Sequence, residues 1–182
     1  DRDGTISEEV GYVNHLSRFK VYPWTGEAIR NFNRRGLRTI VVSNQAGVAR
    51  GYFSEDLVVQ VHSKLRREMK RSGAYFDALY HCPHHPSAGE PPYRQVCHCR
   101  KPKPGMLWRA VEEFGVDVAK SFVIGDRYSD IELAHNAGAR SVFVLSGYGR
   151  GAYEHQRNQW NVQPEWVVEN LLEASRVVLE AV

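Results

Sequence analysis

The stretch Thr39-Ile-Val-Val42, followed at once by Ser43-Asn44-Gln45, decides how this chain folds. It is short, rich in β-branched residues and closed by polar ones, which predicts a buried strand that delivers polar side chains at its carboxyl end. A second stretch, Phe122 to Ile124 followed by Gly125-Asp126, repeats the pattern. We therefore expect a sheet whose functional groups collect where its strands end.

Helical patterns surround these strands on both sides. Apolar residues at helical spacing, with Ser54 and Pro104 as start signals and glycines as stop signals, predict helices around 24–36, 54–73, 104–115, 131–138 and 170–179. Further strands are predicted at 76–80 and 141–145, whereas Gly147, Gly149 and Gly151 predict a flexible loop. Alternation of strands and helices predicts a single α/β domain over 1–182, a three-layer doubly wound parallel sheet of the Rossmann-like type.

Composition narrows the class of protein. The chain has 182 residues, of which 42% are apolar, enough for one domain with a sizeable core. Its 24 basic side chains exceed the 21 acidic ones by three, too few to predict nucleic acid as the main partner. No apolar run reaches the roughly 18 residues that cross a bilayer, and no leader sequence is recognisable. We expect a soluble, cytoplasmic monomer without a membrane or nucleic-acid partner.

Polar residues at the strand ends are the first candidates for chemistry, because ligands of such sheets bind beyond the carboxyl ends of the strands. They are Asp1 and Asp3, Ser43 to Gln45, and Asp126 with Asp130. In Asp1-Arg2-Asp3-Gly4-Thr5 extended backbone would place both carboxylates on one side, although an acidic turn explains the same residues. A calcium loop is excluded because its glycine belongs at the sixth position.

Lys101 is the second candidate for a functional residue. It precedes Pro102, which favours extended backbone, and a helix is predicted to open at Pro104. A cation held there can face a phosphate. The alternative is a solvated lysine in a basic loop with Arg100 and Lys103.

Taken in order, Asp1 to Thr5, Ser43, Lys101, and Gly125-Asp126 with Asp130 resemble the four motifs of the haloacid dehalogenase superfamily of phosphatases. The resemblance spans nearly the whole chain. Within the superfamily, three stretches resemble the phosphatases that act on a heptose bisphosphate: residues 11–13, 43–51 and 97–106.

The resemblance implies roles for individual residues. Asp1 would attack phosphorus, and Asp3, kept protonated by the neighbouring carboxylate, would protonate the departing sugar oxygen and then activate water. Ser43 and Lys101 would hold the phosphoryl oxygens. Asp130 would orient Lys101 or a metal-bound water. Mg²⁺ would be held by Asp1, the backbone carbonyl of Asp3, and Asp126.

The resemblance also implies a phosphorylated sugar as the substrate. Its contacts would come from Asn44, Arg50, Arg100 and Arg127. At position 127 the resembled phosphatases often carry lysine, so Arg127 keeps the charge but changes the geometry.

All three cysteines lie in one short segment, residues 82–99. Together with one histidine they give the complete tetrahedral set of a structural Zn²⁺: Cys82, His84, Cys97 and Cys99. A closed shell has no open position for water, so this zinc would order a loop and take no part in catalysis. His85 is an alternative to His84, while His81 and His98 are expected bystanders.

Two rival functions remain open. A histidinol-phosphate phosphatase shares the acidic motif and the zinc loop. A zinc-stabilised nucleic-acid-binding module is suggested by basic residues on one predicted helix, although a solvated helix face explains them too: Lys64, Arg66, Arg67, Lys70 and Arg71.

One feature conflicts with the resemblance. The superfamily places an apolar strand directly before the nucleophile, and this sequence begins at Asp1. We expect that a short strand is missing, which an intact-mass measurement of the sample would test. Without this strand, Asp1 would carry a charged amino group beside its carboxylate, and catalysis would be weak or absent.

Overall fold

The computed structural model describes residues 1–182, and strands alternate with helices along the chain. The strands are β1 (Ile40–Asn44), β2 (Ala78–Cys82), β3 (Phe122–Gly125), β4 (Arg140–Val144) and β5 (Trp166–Val168). The α-helices are α1 (Thr25–Arg34), α2 (Glu55–Arg71), α3 (Gly105–Phe114), α4 (Tyr128–Ala137), α5 (Gly149–Gln156) and α6 (Leu171–Glu180). Each strand and helix predicted from the sequence is present, within a few residues of its predicted bounds.

Local signals account for several of the helix ends. The Ser54 hydroxyl accepts the backbone N–H of Leu57 (3.3 Å) and so caps the start of α2. Gly115 and Gly138 end α3 and α4 in the left-handed conformation, with φ of +64° and +76°. The turn residues in the sequence therefore set the bounds of these elements.

The strands pair in parallel in two groups, β1–β2 and β3–β4–β5. Each of β1 and β3 has one edge without a partner strand. Both strands line the same largely apolar cavity of about 400 Å³. The parallel pairing of strands separated by helices agrees with the predicted α/β class.

Side chains alternate across the sheets and divide the core into two layers. Val41 and Val142 pack with buried residues of α1, α2 and α6, whereas Val42 and Val123 pack with those of α3 and α4. Helices therefore cover both faces, and the predicted three-layer arrangement is confirmed. No helix combines the length and apolar character that a membrane span requires.

The predicted loop at Gly147, Gly149 and Gly151 was wrong, because α5 begins at Gly149. Of these three glycines, only Gly147 has a positive φ, +59°. A Cβ at Gly149 would lie 1.9 Å from the carbonyl oxygen of Val144, so this glycine lets the helix approach β4 closely. Strand β5, which no pattern predicted, is only three residues long and half-buried.

The basic face of α2 is partly used inside the molecule. Lys64 Nζ donates to the carbonyls of Phe19 (2.7 Å) and Leu16 (3.3 Å), and Arg66 donates to the carbonyl of Phe76 (3.0 Å). Lys70 and Arg71 are exposed to solvent. This pattern favours the solvated helix face over a nucleic-acid-binding surface.

Candidate active site

Three carboxylates converge beyond the ends of the strands. The nearest oxygens of Asp1, Asp126 and Asp130 lie within 4.8 Å of one another. Asp126 follows β3, Asp130 lies in the first turn of α4, and both are fully buried. Because like charges this close repel, a cation is required to balance them.

Lys101 supplies one positive charge to this cluster. Its side chain is 1% exposed, and Nζ lies 2.9 Å from Oδ1 of Asp1, 2.7 Å from Oδ1 of Asp130 and 3.1 Å from the carbonyl oxygen of Val42. A buried ammonium group surrounded by three oxygens is a fixed positive charge. The predicted convergence of Lys101 with the acidic residues is therefore present.

Asn44 fixes the backbone of Lys101. Its Nδ2 donates to the Lys101 carbonyl (3.1 Å), and its Oδ1 accepts the Lys101 N–H (3.0 Å). Both polar atoms of the amide are thus used within the protein. The predicted substrate contact of Asn44 stays a prediction, and the observed geometry gives this residue a positioning role.

Asp126 has the features of a cation ligand. Its Oδ2 accepts the N–H of Tyr148 (2.9 Å), while Oδ1 is buried without a hydrogen-bond partner. Burial, and after it the charge of Asp130, raise the pKa of Asp126 to about 7. Cβ atoms added at Gly4 and Gly147 would lie 2.0 and 2.3 Å from Oδ2, so backbone encloses this carboxylate closely. The cluster holds three carboxylates but only one ammonium group, and Oδ1 of Asp126 has no partner. This excess of negative charge and of oxygen ligands fits a hard divalent cation such as Mg²⁺.

Asp1 presents one carboxylate oxygen to donors and leaves the other free. Oδ1 accepts the backbone N–H of Arg2 (2.6 Å) and faces Lys101, whereas Oδ2 has no hydrogen-bond partner. The backbone nitrogen of Asp1 donates to the carbonyl of Ile124 (2.7 Å), which joins the start of the acidic motif to β3. The expectation of a charged amino group beside the carboxylate stays a prediction.

Asp3 lies outside the carboxylate cluster, because its side chain is held by Arg2 and Gln45. Arg2 binds both oxygens (2.6–3.0 Å), and Gln45 Nε2 donates to Oδ2 (2.8 Å). Burial opposes ionisation, but the Arg2 charge and these hydrogen bonds outweigh it and lower the pKa of Asp3. The expectation that Asp3 is held protonated was wrong, since the guanidinium group dominates over any nearby carboxylate.

Arg2 was not among the predicted site residues, and Gln45 was placed at a strand end without a role. Arg2 is 1% exposed although it carries a charge, and its guanidinium also lies 5.7 Å from the centre of the Phe19 ring. A basic residue between two acidic ones was the available signal, and a buried role for it depends on the tertiary structure.

The predicted substrate-binding arginines lie around the site with separate partners. Arg50 Nη2 lies 3.0 Å from Nε2 of His85, and Arg100 donates to the carbonyl of His84 (3.3 Å). Arg127 pairs with Glu9 (3.3 Å) and lies 4.2 Å from the centre of the Tyr148 ring, with about half of its side chain exposed. The sequence analysis did not identify Glu9, because the residue with which it pairs, Arg127, is distant in sequence.

The predicted zinc ligands form one cluster. The Sγ atom of Cys97 lies 3.6 Å from that of Cys82 and 3.5 Å from that of Cys99, and Nδ1 of His84 lies 3.4 Å from Cys99 Sγ. A tetrahedral zinc with Zn–S bonds of about 2.3 Å separates its sulfur atoms by about 3.8 Å. The donor set and its spacing therefore fit Zn²⁺ closely.

The structure separates the histidines of this segment. His84 points its Nδ1 at the thiols, whereas His85 Nδ1 accepts the N–H of Ala88 (3.0 Å). His81 pairs with Glu55 (2.8 Å). Burial raises the pKa of Cys82 and of Cys99, so zinc would have to displace their protons. Of the two alternatives, the geometry favours His84 over His85 as the fourth ligand.

Comparison with known proteins agrees with this geometry. Residues 98–174 match the family model described as HAD-hydrolase-like. The chain is 35% identical to D-glycero-beta-D-manno-heptose-1,7-bisphosphate 7-phosphatase of Pasteurella multocida over 98% of this chain and 94% of that protein. It is 33% identical to the enzyme of the same name from Escherichia coli K12, over 98% and 91% of the two chains.

A solved structure gives the same result. The D,D-heptose 1,7-bisphosphate phosphatase of B. bronchiseptica, complexed with magnesium and phosphate, superposes with a TM-score of 0.86 at 28% identity and covers 100% of this chain and 97% of that one. With near-complete coverage, matching fold and a site of the expected composition, the chain belongs to the heptose-1,7-bisphosphate 7-phosphatase family of haloacid dehalogenase-like phosphatases.

Proposed function

We propose that this protein removes the 7-phosphate from D-glycero-D-manno-heptose 1,7-bisphosphate through an aspartyl-phosphate on Asp1. The observation that carries the proposal is the convergence of Asp1, Asp126 and Asp130 on Lys101. Relatives that carry this activity in their names support the choice of substrate.

Mg²⁺ would be held by the carboxylates of Asp1 and Asp126 and by the backbone carbonyl of Asp3, and it would neutralise charge on the transferring phosphoryl group. Asp130 fits a supporting role, because its carboxylate holds Lys101 at 2.7 Å. Lys101 and Ser43 would contact the remaining phosphoryl oxygens, where charge redistributes in the transition state.

The free oxygen of Asp1 is the proposed nucleophile. Oδ1 is held by Arg2 N–H and Lys101, which leaves Oδ2 as the oxygen without a partner in the protein. Attack of Oδ2 on phosphorus breaks the bond to the sugar oxygen, and water later attacks the aspartyl-phosphate. One difficult displacement is thereby divided into two easier ones.

Asp3 would exchange a proton with the sugar oxygen and with water. In the structure its carboxylate is held by Arg2, whose charge lowers the pKa of Asp3. An incoming phosphate would place negative charge next to it and raise its proton affinity, so that Asp3 would take up a proton from solvent as the substrate binds. Asp3 would then give this proton to the departing sugar oxygen and later take one from the attacking water, as the water oxygen bonds to phosphorus and the bond from phosphorus to Asp1 breaks.

The surrounding arginines are proposed to recognise the rest of the bisphosphate. Arg50 and Arg100 lie together beside His85 and would bind one anionic group, while Arg127 approaches from the α4 side. Arginine forms paired hydrogen bonds with phosphate, and the half-exposed Arg127 needs only to exchange Glu9 for a substrate oxygen.

A structural Zn²⁺ on Cys82, His84, Cys97 and Cys99 is proposed to hold this part of the site. Arg100 and Lys101 follow the last ligand directly, so the metal would fix the backbone from which both cations project. Binding on the order of 10 kcal/mol would order the segment.

The test is a panel of phosphate esters assayed for phosphate release with and without Mg²⁺. It includes both anomers of the heptose bisphosphate, fructose bisphosphate and histidinol phosphate, with Asp1→Asn as the inactive control. We expect Mg²⁺-dependent release that is fastest with a heptose bisphosphate. Faster turnover of histidinol phosphate would refute the substrate, and full activity of Asp1→Asn would refute the nucleophile.

A further inference from the structure

Gln45 occupies a buried position between two groups of the proposed mechanism. It follows β1 directly and is 4% exposed. Its backbone N–H donates to the carbonyl of Cys82 (2.8 Å), and its carbonyl accepts the N–H of Val48 (3.1 Å). The backbone of this residue is therefore fixed by the end of β2 and by the following turn.

The side-chain amide of Gln45 uses both of its hydrogens. Nε2 donates to Oδ2 of Asp3 and to Oγ of Ser43, each at 2.8 Å. An amide nitrogen carries two hydrogens, so no third acceptor can be served. One planar group thus fixes the distance and the relative orientation of the Asp3 carboxylate and the Ser43 hydroxyl.

This arrangement determines where the Ser43 proton points. A hydroxyl donates one hydrogen, and Ser43 Oγ already accepts from Gln45. Ser43 is buried, and its Oγ donates to no protein acceptor, so its proton remains free for another acceptor. A phosphoryl oxygen is the acceptor that the proposed reaction would bring there.

We propose that Gln45 is a positioning residue that orients Ser43 as a donor to the phosphoryl group and holds Asp3 beside the departing oxygen. The inference rests on the proposed function. It adds a residue that acts on the reacting groups only through Ser43 and Asp3, without touching the substrate.

Gln45→Met tests this role because methionine has a similar length but no N–H donors. We expect kcat on the heptose bisphosphate to fall about 30-fold, the equivalent of two hydrogen bonds, with KM changed less than about threefold. With 4-nitrophenyl phosphate, whose leaving group departs without a proton, kcat/KM, which reports only the steps up to the aspartyl-phosphate, should fall only about threefold to tenfold. Gln60→Met, an exposed glutamine on α2, is the matched control and should leave both rates unchanged.

A double-mutant cycle with Ser43→Ala identifies the path of the effect. If Gln45 acts through Ser43, adding Gln45→Met to the Ser43→Ala variant should not lower kcat/KM for 4-nitrophenyl phosphate any further. Equal losses on the two esters, or fully additive losses in the cycle, would overturn the proposal.

Melting temperatures and circular dichroism of every variant show whether it folds. If Gln45→Met does not fold, Gln45→Leu also removes both N–H donors without adding a charge, and we expect it to show the same difference between the two esters. Equal losses with that variant would overturn the proposal as well. Failure of the wild type to hydrolyse heptose bisphosphate would refute the proposed substrate, and the 4-nitrophenyl phosphate cycle would still test the link from Gln45 to Ser43.

Discussion

Replacing Asp126 by asparagine should stabilise the magnesium-free protein while abolishing its activity. Asp126 is fully buried, and burial together with Asp130 raises its pKa to about 7, far above the value near 3.9 of an unfolded chain. Between these two pH values the folded state binds the proton that the unfolded state has lost. Stability therefore falls as the pH rises through this window.

The size of the effect follows from the two pKa values. Ionisation of Asp126 costs on the order of 1.5 kcal/mol of folding free energy at pH 5 and on the order of 4 kcal/mol at pH 8. Asparagine carries no charge and can still accept the Tyr148 N–H with its carbonyl oxygen. The variant should therefore be more stable than the wild type by these amounts, and the gain should grow with pH.

The assay is urea unfolding of both proteins at pH 5 and pH 8, in magnesium-free buffer without a chelator so that bound zinc is retained. Adding Mg²⁺ at pH 8 should raise the stability of the wild type and leave the variant nearly unchanged. Asp56→Asn, at an exposed position of α2, is the control and should show no such pH dependence. A stability difference that is the same at both pH values, or an Asp126→Asn protein less stable than the wild type at pH 8, would refute the reasoning.

Three further outcomes are expected. Lys101→Met should reduce phosphate release by about 10²-fold or more because a buried positive charge on the phosphoryl oxygens is lost, whereas Lys120→Met, at an exposed lysine, should retain full activity. Asn44→Ala should lower kcat about tenfold without unfolding the protein, since two hydrogen bonds that fix the Lys101 backbone disappear, and an unchanged kcat would contradict that role. Cys99→Ser should lower the zinc content measured by atomic emission well below one equivalent and lower the melting temperature; retention of a full equivalent would show that Cys99 is not a ligand.

The fold was largely predictable because its signals are local. The β-branched runs at 40–42 and 122–124, the Ser54 cap and the glycines at 115 and 138 each act within a few residues of themselves. The order in which the strands pair, by contrast, depends on contacts between distant segments, and this is a property of the tertiary structure.

The site was predicted less completely, for the same reason. Asp1, Asp126 and Lys101 were identified from motifs, and the structure places them together. The ionised state of Asp3 depends on the direction in which the Arg2 side chain turns, which the sequence leaves open. The single-domain organisation, the monomeric state and the individual residue roles stay predictions.

Gly4 and Gly147 meet over Asp126 so closely that only hydrogen atoms fit between backbone and carboxylate. The floor of the site, the part directly beside Asp126 Oδ2, is therefore main chain, and these two positions have no room for a side chain. Descendants of this chain that acquire a different substrate would have to change the rim, where Arg50, Arg100 and Arg127 have room for replacement. Selection for new specificity would leave the chemistry of the floor intact, and a library confined to the rim would be the efficient way to retarget the enzyme.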